Sequence, residues 1–327
     1  MMENIPLVSV IIPNYNYARF LEKRIESVLL QTCTDFEIIL LDDASTDNSV
    51  FILNKYQTNA HVSYVDINSV NTGSPFAQWQ KGIALSRGKY IWIAESDDLA
   101  SPSFLEKAVC VLERYSQASY CFVGSYSIDE SGEQLSIDFD RWTAKQKKRS
   151  DNLGFFAGKD YIMHNLYWAN YIYNASGVVF RKKCFERITD YSCFSMRYCG
   201  DWLFWIEMAL QGDVVEIYEK LNYFRQHKCS TTMKSIITGD GLKEDISVIR
   251  FIENLLPSIS SWRKILRRGI FYKKIRRLKV DSKVKNELYQ ELETQLKGGA
   301  LDYCIERLNK NLSFMIPCLL TRDKDRL

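Results

Sequence analysis

The chain has 327 residues, 46% hydrophobic and 25% charged, with a formal net charge of +3. That composition belongs to a globular protein rather than a disordered one, and so small a charge gives no argument for nucleic acid. The length allows two domains, or one large domain with additions. The nine cysteines (Cys33, Cys110, Cys121, Cys184, Cys193, Cys199, Cys229, Cys304 and Cys318) are odd in number and form no CxxC, and there are only three histidines. A zinc site is therefore disfavoured, and reduced thiols of a cytoplasmic protein are expected. Met1-Met2-Glu3-Asn4-Ile5-Pro6 has no basic region followed by a long apolar one, so no signal peptide is expected. Apolar runs stop at about ten residues, short of a membrane span.

Taken in order, Val8–Ile12 is a short apolar strand that Pro13-Asn14-Tyr15-Asn16 ends with turn chemistry. Leu21, Ile25, Val28 and Leu29 recur at helical spacing, with Glu22, Lys23, Arg24 and Glu26 on the other face. Phe36–Leu41 is a second strand running into Asp42-Asp43, with Thr46 or Asp47 placed to cap a helix through Tyr56. Val62–Val65 is a third strand, and Pro75 opens a helix through Ser86. The fourth strand, Lys89–Ala94, ends in Glu95-Ser96-Asp97-Asp98. Strands alternating with helices argue for an open, mostly parallel α/β sheet, which binds ligands beyond the carboxyl ends of its strands.

The cluster Glu95–Asp98 can be read in two ways. Glu95 and Asp97 are two residues apart, so an extended backbone aims both carboxylates to one side. Such oxygens suit Mg²⁺ or Mn²⁺ bridging to a diphosphate. Alternatively the cluster is a solvated turn before a helix capped at Ser101 or Ser103. No GxGxxG or GxxxxGK[ST] follows the first strand, which disfavours an ordinary dinucleotide fold and a P-loop NTPase.

Beyond the cluster, Phe104–Tyr115 reads as a helix, Tyr120–Val123 as a strand, and residues 125–155 as a polar loop that includes Lys145, Lys147, Lys148 and Arg149. Asn174–Phe180 and Val214–Tyr218 read as strands. Asp201 opens a helix containing Leu203, Ile206 and Leu210, where a carboxylate can also be a cap. From about Asp245 helical spacing dominates. Trp262–Lys279 holds nine Lys or Arg among apolar residues, with Gly269 weakening a continuous helix. It is either an amphipathic helix on an anionic membrane or a helix with a solvated basic face. Glu287–Leu296 and Leu301–Leu308 read as two more helices.

The ordered segments Val8–Asn16, Glu26–Thr32, Leu41–Asp47, Gly88–Ile91 and Glu95–Asp98 resemble the family 2 glycosyltransferases of the GT-A fold, a Rossmann-like, mostly parallel sheet flanked by helices. The likeness is dense over residues 7–108 and thins to Gly177 and Gly200-Asp201-Trp202 by about residue 230. It implies a nucleotide-sugar-binding half (1–105), an acceptor-binding half (106–240) and a helical C-terminal extension (241–327). By this resemblance Pro13, Tyr15, Asp43, Gly73 and Glu95 bind the nucleotide, with Tyr15 against the pyrimidine and Asp43 accepting from the base N–H. Glu95 stands where the family usually has the first Asp of a DxD. Asp97 is its second, and binds Mn²⁺ or Mg²⁺ together with His227. Asp201 is the catalytic base.

The reaction implied is metal-dependent, inverting transfer of one sugar from a UDP- or dTDP-sugar to a saccharide or lipid-linked acceptor in cell-surface polysaccharide or glycoconjugate synthesis. It would take place in the cytoplasm or peripherally at the inner face of the plasma membrane, through residues 262–279. Two alternatives stand. A nucleotidyltransferase would need a basic glycine-rich phosphate loop, and Pro13–Arg19 has no glycine. A non-catalytic nucleotide-sugar-binding scaffold would lack transfer activity.

Overall fold

The computed structural model describes residues 5–140, 142, 152–227, 239–313, 315, 316, 318–321 and 325–327. Lys145, Lys147, Lys148, Arg149 and Cys229 lie outside the described residues. The chain divides into two compact units, Met1–Gly158 with Ile172–Arg197 and Glu207–His227, and Lys159–Tyr171 with Tyr198–Ile206 and Lys228–Leu327.

The first unit is built on one sheet. Its strands are β1 (Val8–Asn14), β2 (Phe36–Asp42), β3 (Val62–Ile67), β4 (Tyr90–Ile93), β5 (Leu99–Ala100), β6 (Ala118–Ile128), β7 (Leu153–Phe156), β8 (Val178–Arg181) and β9 (Asp213–Arg225). They lie in the order β3-β2-β1-β4-β8-β6-β9-β5, and β7 also pairs with β9. The strands β3, β2, β1 and β4 run parallel. The second half is mixed. There β8 is antiparallel to both neighbours, while β6 and β9 are parallel. Every residue of β1, β2 and β4 is buried, as suits unbroken apolar runs covered on both faces. The chain winds outward from β1 to β3 and returns on β1's other side as β4. The carboxyl ends of β1 and β4 therefore flank the point where strand order reverses, where open α/β sheets form a crevice.

Four helices cover this sheet: α1 (Ala18–Leu29), α2 (Ser49–Tyr56), α3 (Pro75–Leu85) and α4 (Phe104–Arg114). Leu21, Ile25 and Val28 of α1 and Phe104, Leu105 and Leu112 of α4 share one core with Val10, Ile38, Leu40 and Trp92 of the strands. At the strands' other end, buried Glu37 accepts from Ser9 Oγ at 2.6 Å and from Arg87 Nε at 2.9 Å, which pins the turn before β4.

Several expectations are corrected. Strand β6 continues through Ile128, so residues 125–128 are not loop, and neither are 153–156, which form β7. Both pair with β9, which itself runs on to Arg225, and that long-range pairing keeps Ser125 and Ser127 buried. Residues Ala175–Gly177 form a 3₁₀ turn rather than strand, because Asn174 Oδ1 accepts the Ser176 amide. Ser103 stands at the N-cap of α4 but makes no side-chain cap bond, and the short β5 intervenes between the acid cluster and that helix. Asp47 accepts from the amides of Ser49 and Ala18, tying α2 to the start of α1, while Asn48 is the N-cap residue.

The second unit contains α6 (Asp240–Leu255), α7 (Ser261–Arg277), α8 (Ser282–Leu296) and α9 (Ala300–Leu312), preceded by the start of α5 (Gly200–Leu210). Helix α7 packs on α8 and α9, and α6 packs on α8. Asp325 anchors the segment near the chain end by accepting from Arg263, His164 and Trp168. Its burial works against ionisation, but these partners outweigh it and hold the carboxyl down at about 2. No helix of the described residues is long and apolar enough to cross a membrane. The eight cysteines among them are all free thiols.

Helix α7 runs unbroken through Gly269, contrary to the helix-weakening role expected of it. The reason is packing. A Cβ at 269 would lie 2.4 Å from the Asp302 carbonyl oxygen and 2.6 Å from Glu306 Cβ, so only glycine lets α7 and α9 approach this closely. In an exposed helix Gly→Ala stabilises by about 1 kcal/mol. Here Gly269→Ala is expected to destabilise by roughly 1–3 kcal/mol through overpacking, read as a lower thermal or urea midpoint. An unchanged or raised midpoint would show that the helices part without cost.

Candidate active site

The strand ends of the first unit are tied side to side. Asn14 Nδ2 donates to Asp42 Oδ2 at 2.7 Å, and the Asp43 amide donates to the Asn14 carbonyl at 2.9 Å. Asp42 is fully buried and also accepts the amide and hydroxyl of Ser45. Ser96 Oγ donates to the Pro13 carbonyl at 2.6 Å, joining the end of β4 to that of β1. Asn16 adopts a left-handed backbone, and its Oδ1 accepts the Thr46 amide at 2.8 Å. Polar residues expected to end strands thus fix three ends against one another.

Of the residues assigned to the nucleotide, Pro13 and Tyr15 lie at the end of β1, and the Tyr15 ring is 45% exposed, free to stack on a flat partner. Asp43 is buried and already used. Its oxygens accept from Asn68 Nδ2, Gln78 Nε2, and the amide and hydroxyl of Thr72, which orders the 68–74 loop. Gly73 turns that loop at φ 74°, and its amide donates to Asn71 Oδ1.

The acids after β4 divide by environment. Glu95 accepts from Trp79 Nε1 at 2.8 Å, and burial, then the Asp97 charge, push its pKa up to about 8. Asp98 is buried and accepts the Arg225 amide at 2.9 Å; burial and Asp97 raise it too. Asp97 meets His227, whose Nε2 lies 2.8 Å from its Oδ2, although 130 residues separate the two. The imidazole is packed edge-on to Tyr17, and its Nδ1 is buried without a hydrogen-bond partner. Among the described residues no three Asp, Glu, His or Cys side chains gather to hold a metal. The carboxylate and imidazole of Asp97 and His227 nevertheless suit Mn²⁺ or Mg²⁺ if a diphosphate completes the coordination.

Two arginines make this cluster tolerable, and neither stood out in the sequence. Arg24, placed on the solvated face by its charged neighbours, is fully buried instead. It lies over the Trp92 ring at 4.9 Å, and none of its three nitrogens has a hydrogen-bond partner. Burial lowers its pKa to about 10, against the attraction of Asp98, Glu95 and Asp97. Its i,i+4 spacing from Phe20 and Val28 puts it within the apolar stripe, which was the available signal. Arg225 gives its amide to Asp98, Nε to the Asp97 carbonyl at 2.6 Å, and Nη1 to the Asp129 carbonyl at 2.6 Å. It ends β9 and so sets where His227 begins.

Asp201 belongs to the second unit. It sits inside the first turn of α5, and its Oδ1 accepts the next residue's amide, Trp202, at 2.7 Å. An N-cap side chain reaches two or three residues ahead, so this is not a cap bond. Oδ2 accepts from Asn170 Nδ2 at 2.9 Å. Burial raises the carboxyl to about 6.

Residues 9–189, more than half of the chain, match the model of glycosyl transferase family 2, and the chain belongs to that family. An uncharacterized glycosyltransferase of Nostoc is 28% identical over 228 residues, 70% of this chain and 67% of that protein. The S. aureus TarS 1-349 structure in complex with UDP-GlcNAc aligns with TM-score 0.55 at 15% identity, covering 93% of this chain and 91% of TarS 1-349. The mannosyltransferase PcManGT from Pyrobaculum calidifontis, in complex with GDP-Man and Mn²⁺, aligns with TM-score 0.58 at 13% identity, covering 95% and 81%. At such identities the two structures establish the fold, which is GT-A.

Arg24→Met keeps most of the volume and removes the buried cation. The expected cost is about 3–5 kcal/mol, as when one member of a buried charge set is deleted. Glu95 and Asp98 already titrate above the ordinary carboxylate range and rise further without the cation. Acids raised in the folded state lose stability as pH climbs through that range, so the loss is larger near pH 8 than near pH 5. Urea unfolding at the two pH values measures it, and a pH-independent loss would mean that Arg24 acts by packing alone.

Proposed function

We propose that this family 2 enzyme moves one sugar from a UDP- or dTDP-sugar to a saccharide or lipid-linked acceptor, with a divalent cation and with inversion. The observation that carries the reading is the Asp97–His227 pair at 2.8 Å, set where strand order reverses. Carboxylate and imidazole side by side form half of a cation site that a nucleotide diphosphate can complete. The neighbours solved with UDP-GlcNAc and with GDP-Man and Mn²⁺ support a nucleotide-sugar donor and a cation of this kind. The proposal gives the nucleotide to residues 1–105, the acceptor to 106–240, and to 241–327 a helical extension in peripheral contact with the inner face of the plasma membrane. Its biological setting is cell-surface polysaccharide or glycoconjugate synthesis.

Each residue then has a physical task. Tyr15 stacks on the base beside Pro13. Asp43 orders the loop holding Gly73, and a base N–H reaches it by sharing an oxygen or displacing Thr72. Glu95, steadied by Trp79, stands toward the ribose. Asp97 and His227 would hold Mn²⁺ or Mg²⁺, which when bound supplies positive charge against the negative charge growing on the departing diphosphate. Asp201 takes the acceptor hydroxyl's proton. Raised to about 6, it stays mostly ionised at neutral pH and is a stronger base than an ordinary aspartate. One base and no enzyme nucleophile make a single displacement, hence inversion.

Calorimetry with UDP tests the cation assignment. Wild type with Mn²⁺ is expected to bind at least about tenfold more tightly than Asp97→Ala or EDTA-treated wild type. Equal affinity in all three overturns it, and tighter binding of GDP than of UDP overturns the donor base.

Asp201→Asn separates base from scaffold. Asn keeps an acceptor for the Trp202 amide, so the mutant is expected to fold and bind UDP but lose transfer by roughly 10²-fold or more. A carboxyl whose folded pKa is raised costs stability above about 6 and nothing below the ordinary aspartate value. The mutant's melting temperature should therefore match or exceed wild type near pH 8 and converge with it near pH 4. Near wild-type transfer by the folded mutant removes Asp201 from the mechanism, and Asp98, Asp129 and Glu130 become the next candidates.

A further inference from the structure

Within the second unit the C-terminal helices hold the turn that carries Asp201. Glu244 of α6 is the main contact. Its Oε2 accepts the Tyr198 amide at 2.8 Å and the Cys199 amide at 2.7 Å, although 45 residues separate Glu244 from Cys199. The Cys199 carbonyl in turn accepts the Leu203 amide at 3.1 Å, so α5 starts on Cys199. Glu244 therefore grips two consecutive amides where the chain enters α5, next to Gly200 and Asp201. A carboxylate suits this place for two reasons. Amides at a helix N-terminus lack partners within the helix, and the helix dipole favours negative charge there.

The grip is braced on both sides of Asp201. Next to Glu244, Asp245 has its Oδ1 3.4 Å from Cys199 Sγ, and its Oδ2 accepts from Lys274 of α7 at 2.9 Å. After Asp201, the buried Trp202 indole donates to the Leu166 carbonyl at 3.1 Å, and the Arg267 guanidinium of α7 lies over its ring at 5.8 Å. The Asp201 carboxylate is spent on the Trp202 amide and on Asn170. Its direction is thus set by residues before and after it that α6 and α7 hold. A general base works only in a narrow geometry, and a displacement of about 1 Å can cost roughly 10²-fold in rate.

We infer that Glu244 is a positioning residue for the reaction, and that α6 and α7 serve to hold the turn on which Asp201 is aimed. The role in the reaction rests on Asp201 being the base, as proposed above; the grip on the turn does not.

The grip can be read on Asp201 itself, without substrate. In protein labelled with ¹³C at the aspartate carboxyls, Asp201→Asn identifies the Asp201 signal. Its wild-type titration midpoint is expected near the value of about 6 that burial imposes. Asp245, the nearby carboxylate that also raises it, stays paired with Lys274 in every variant. Glu244→Ala frees the Tyr198 and Cys199 amides and lets water reach the turn, so the midpoint should fall toward the ordinary aspartate value near 4. Glu244→Asp keeps the charge but loses the reach, and should fall likewise; it replaces the alanine variant if that one does not fold. Glu244→Gln loses the charge but keeps an oxygen for both amides, and should stay with wild type. UDP release from UDP-GlcNAc with Mn²⁺ should follow the same order. For Ala and Asp kcat is expected to drop about tenfold or more with KM and UDP affinity unchanged. In an Asp201→Asn background Glu244→Ala should lower kcat no further, because it acts through Asp201. A wild-type midpoint in folded Glu244→Ala or Glu244→Asp overturns the inference. So does a Gln variant that falls as far as Ala, since charge rather than hydrogen bonding would then be the cause. Wild-type transfer by Asp201→Asn, with the midpoints moving as expected, overturns the base assignment and the role in the reaction but leaves the grip in place.

Discussion

Three carboxyl groups at the end of a strand buried on both faces are held by two means, a raised proton affinity and cations buried with them. The strand is β4, and the cations are the guanidinium groups of Arg24 and Arg225. The two work differently. Arg24 lies beneath the cluster on an indole face and acts through its charge alone, since no hydrogen bond fixes it. Arg225 binds the turn through its main chain and side chain together. One supplies potential and the other supplies geometry. An unpaired buried charge costs several kcal/mol, so the arrangement is stable only when acids and arginines are present together.

This constraint connects the fold to the reaction. The parallel strands β1, β2 and β4 need no polar residues along their length, so polar chemistry is confined to their ends. There Asn14, Asp42, Ser45 and Ser96 spend their hydrogen bonds on one another and on the backbone. The result is a hydrogen-bonded rim at which Tyr15 is exposed and the Asp97 carboxylate meets His227. Asp201 is held in the same manner in the second unit, where Asn170 and a backbone amide fix a partly desolvated carboxylate rather than leaving it a solvated surface acid.

The second unit shows a different economy of polarity. Helix α9 turns Glu306 and Asn309 inward and leaves Leu301 and Leu308 in solvent. Helix α7, whose sequence looks more like a membrane helix, spends its charges on internal ion pairs.

What the sequence determined by itself was whatever depends on neighbours along the chain. The apolar runs of β1, β2 and β4, the helical spacing of α1 and α4, and the turn chemistry after each strand are local signals. Together with the ordered motifs from Val8 to Asp98 they sufficed for the fold class and family. Tertiary structure decided what depends on residues far apart. The continuation of β6 and β9 past their apolar centres comes from pairing across about a hundred residues, which leaves no local period to read. The burial of Arg24 follows from the acids of β4, more than seventy residues away, and overrides the polarity of Glu22, Lys23 and Glu26 beside it. The meeting of Asp97 with His227, and the inward turn of the polar side of α9, were likewise set by packing. In each case a charge or dipole was placed by what surrounds it in space, and a linear sequence does not carry that distance.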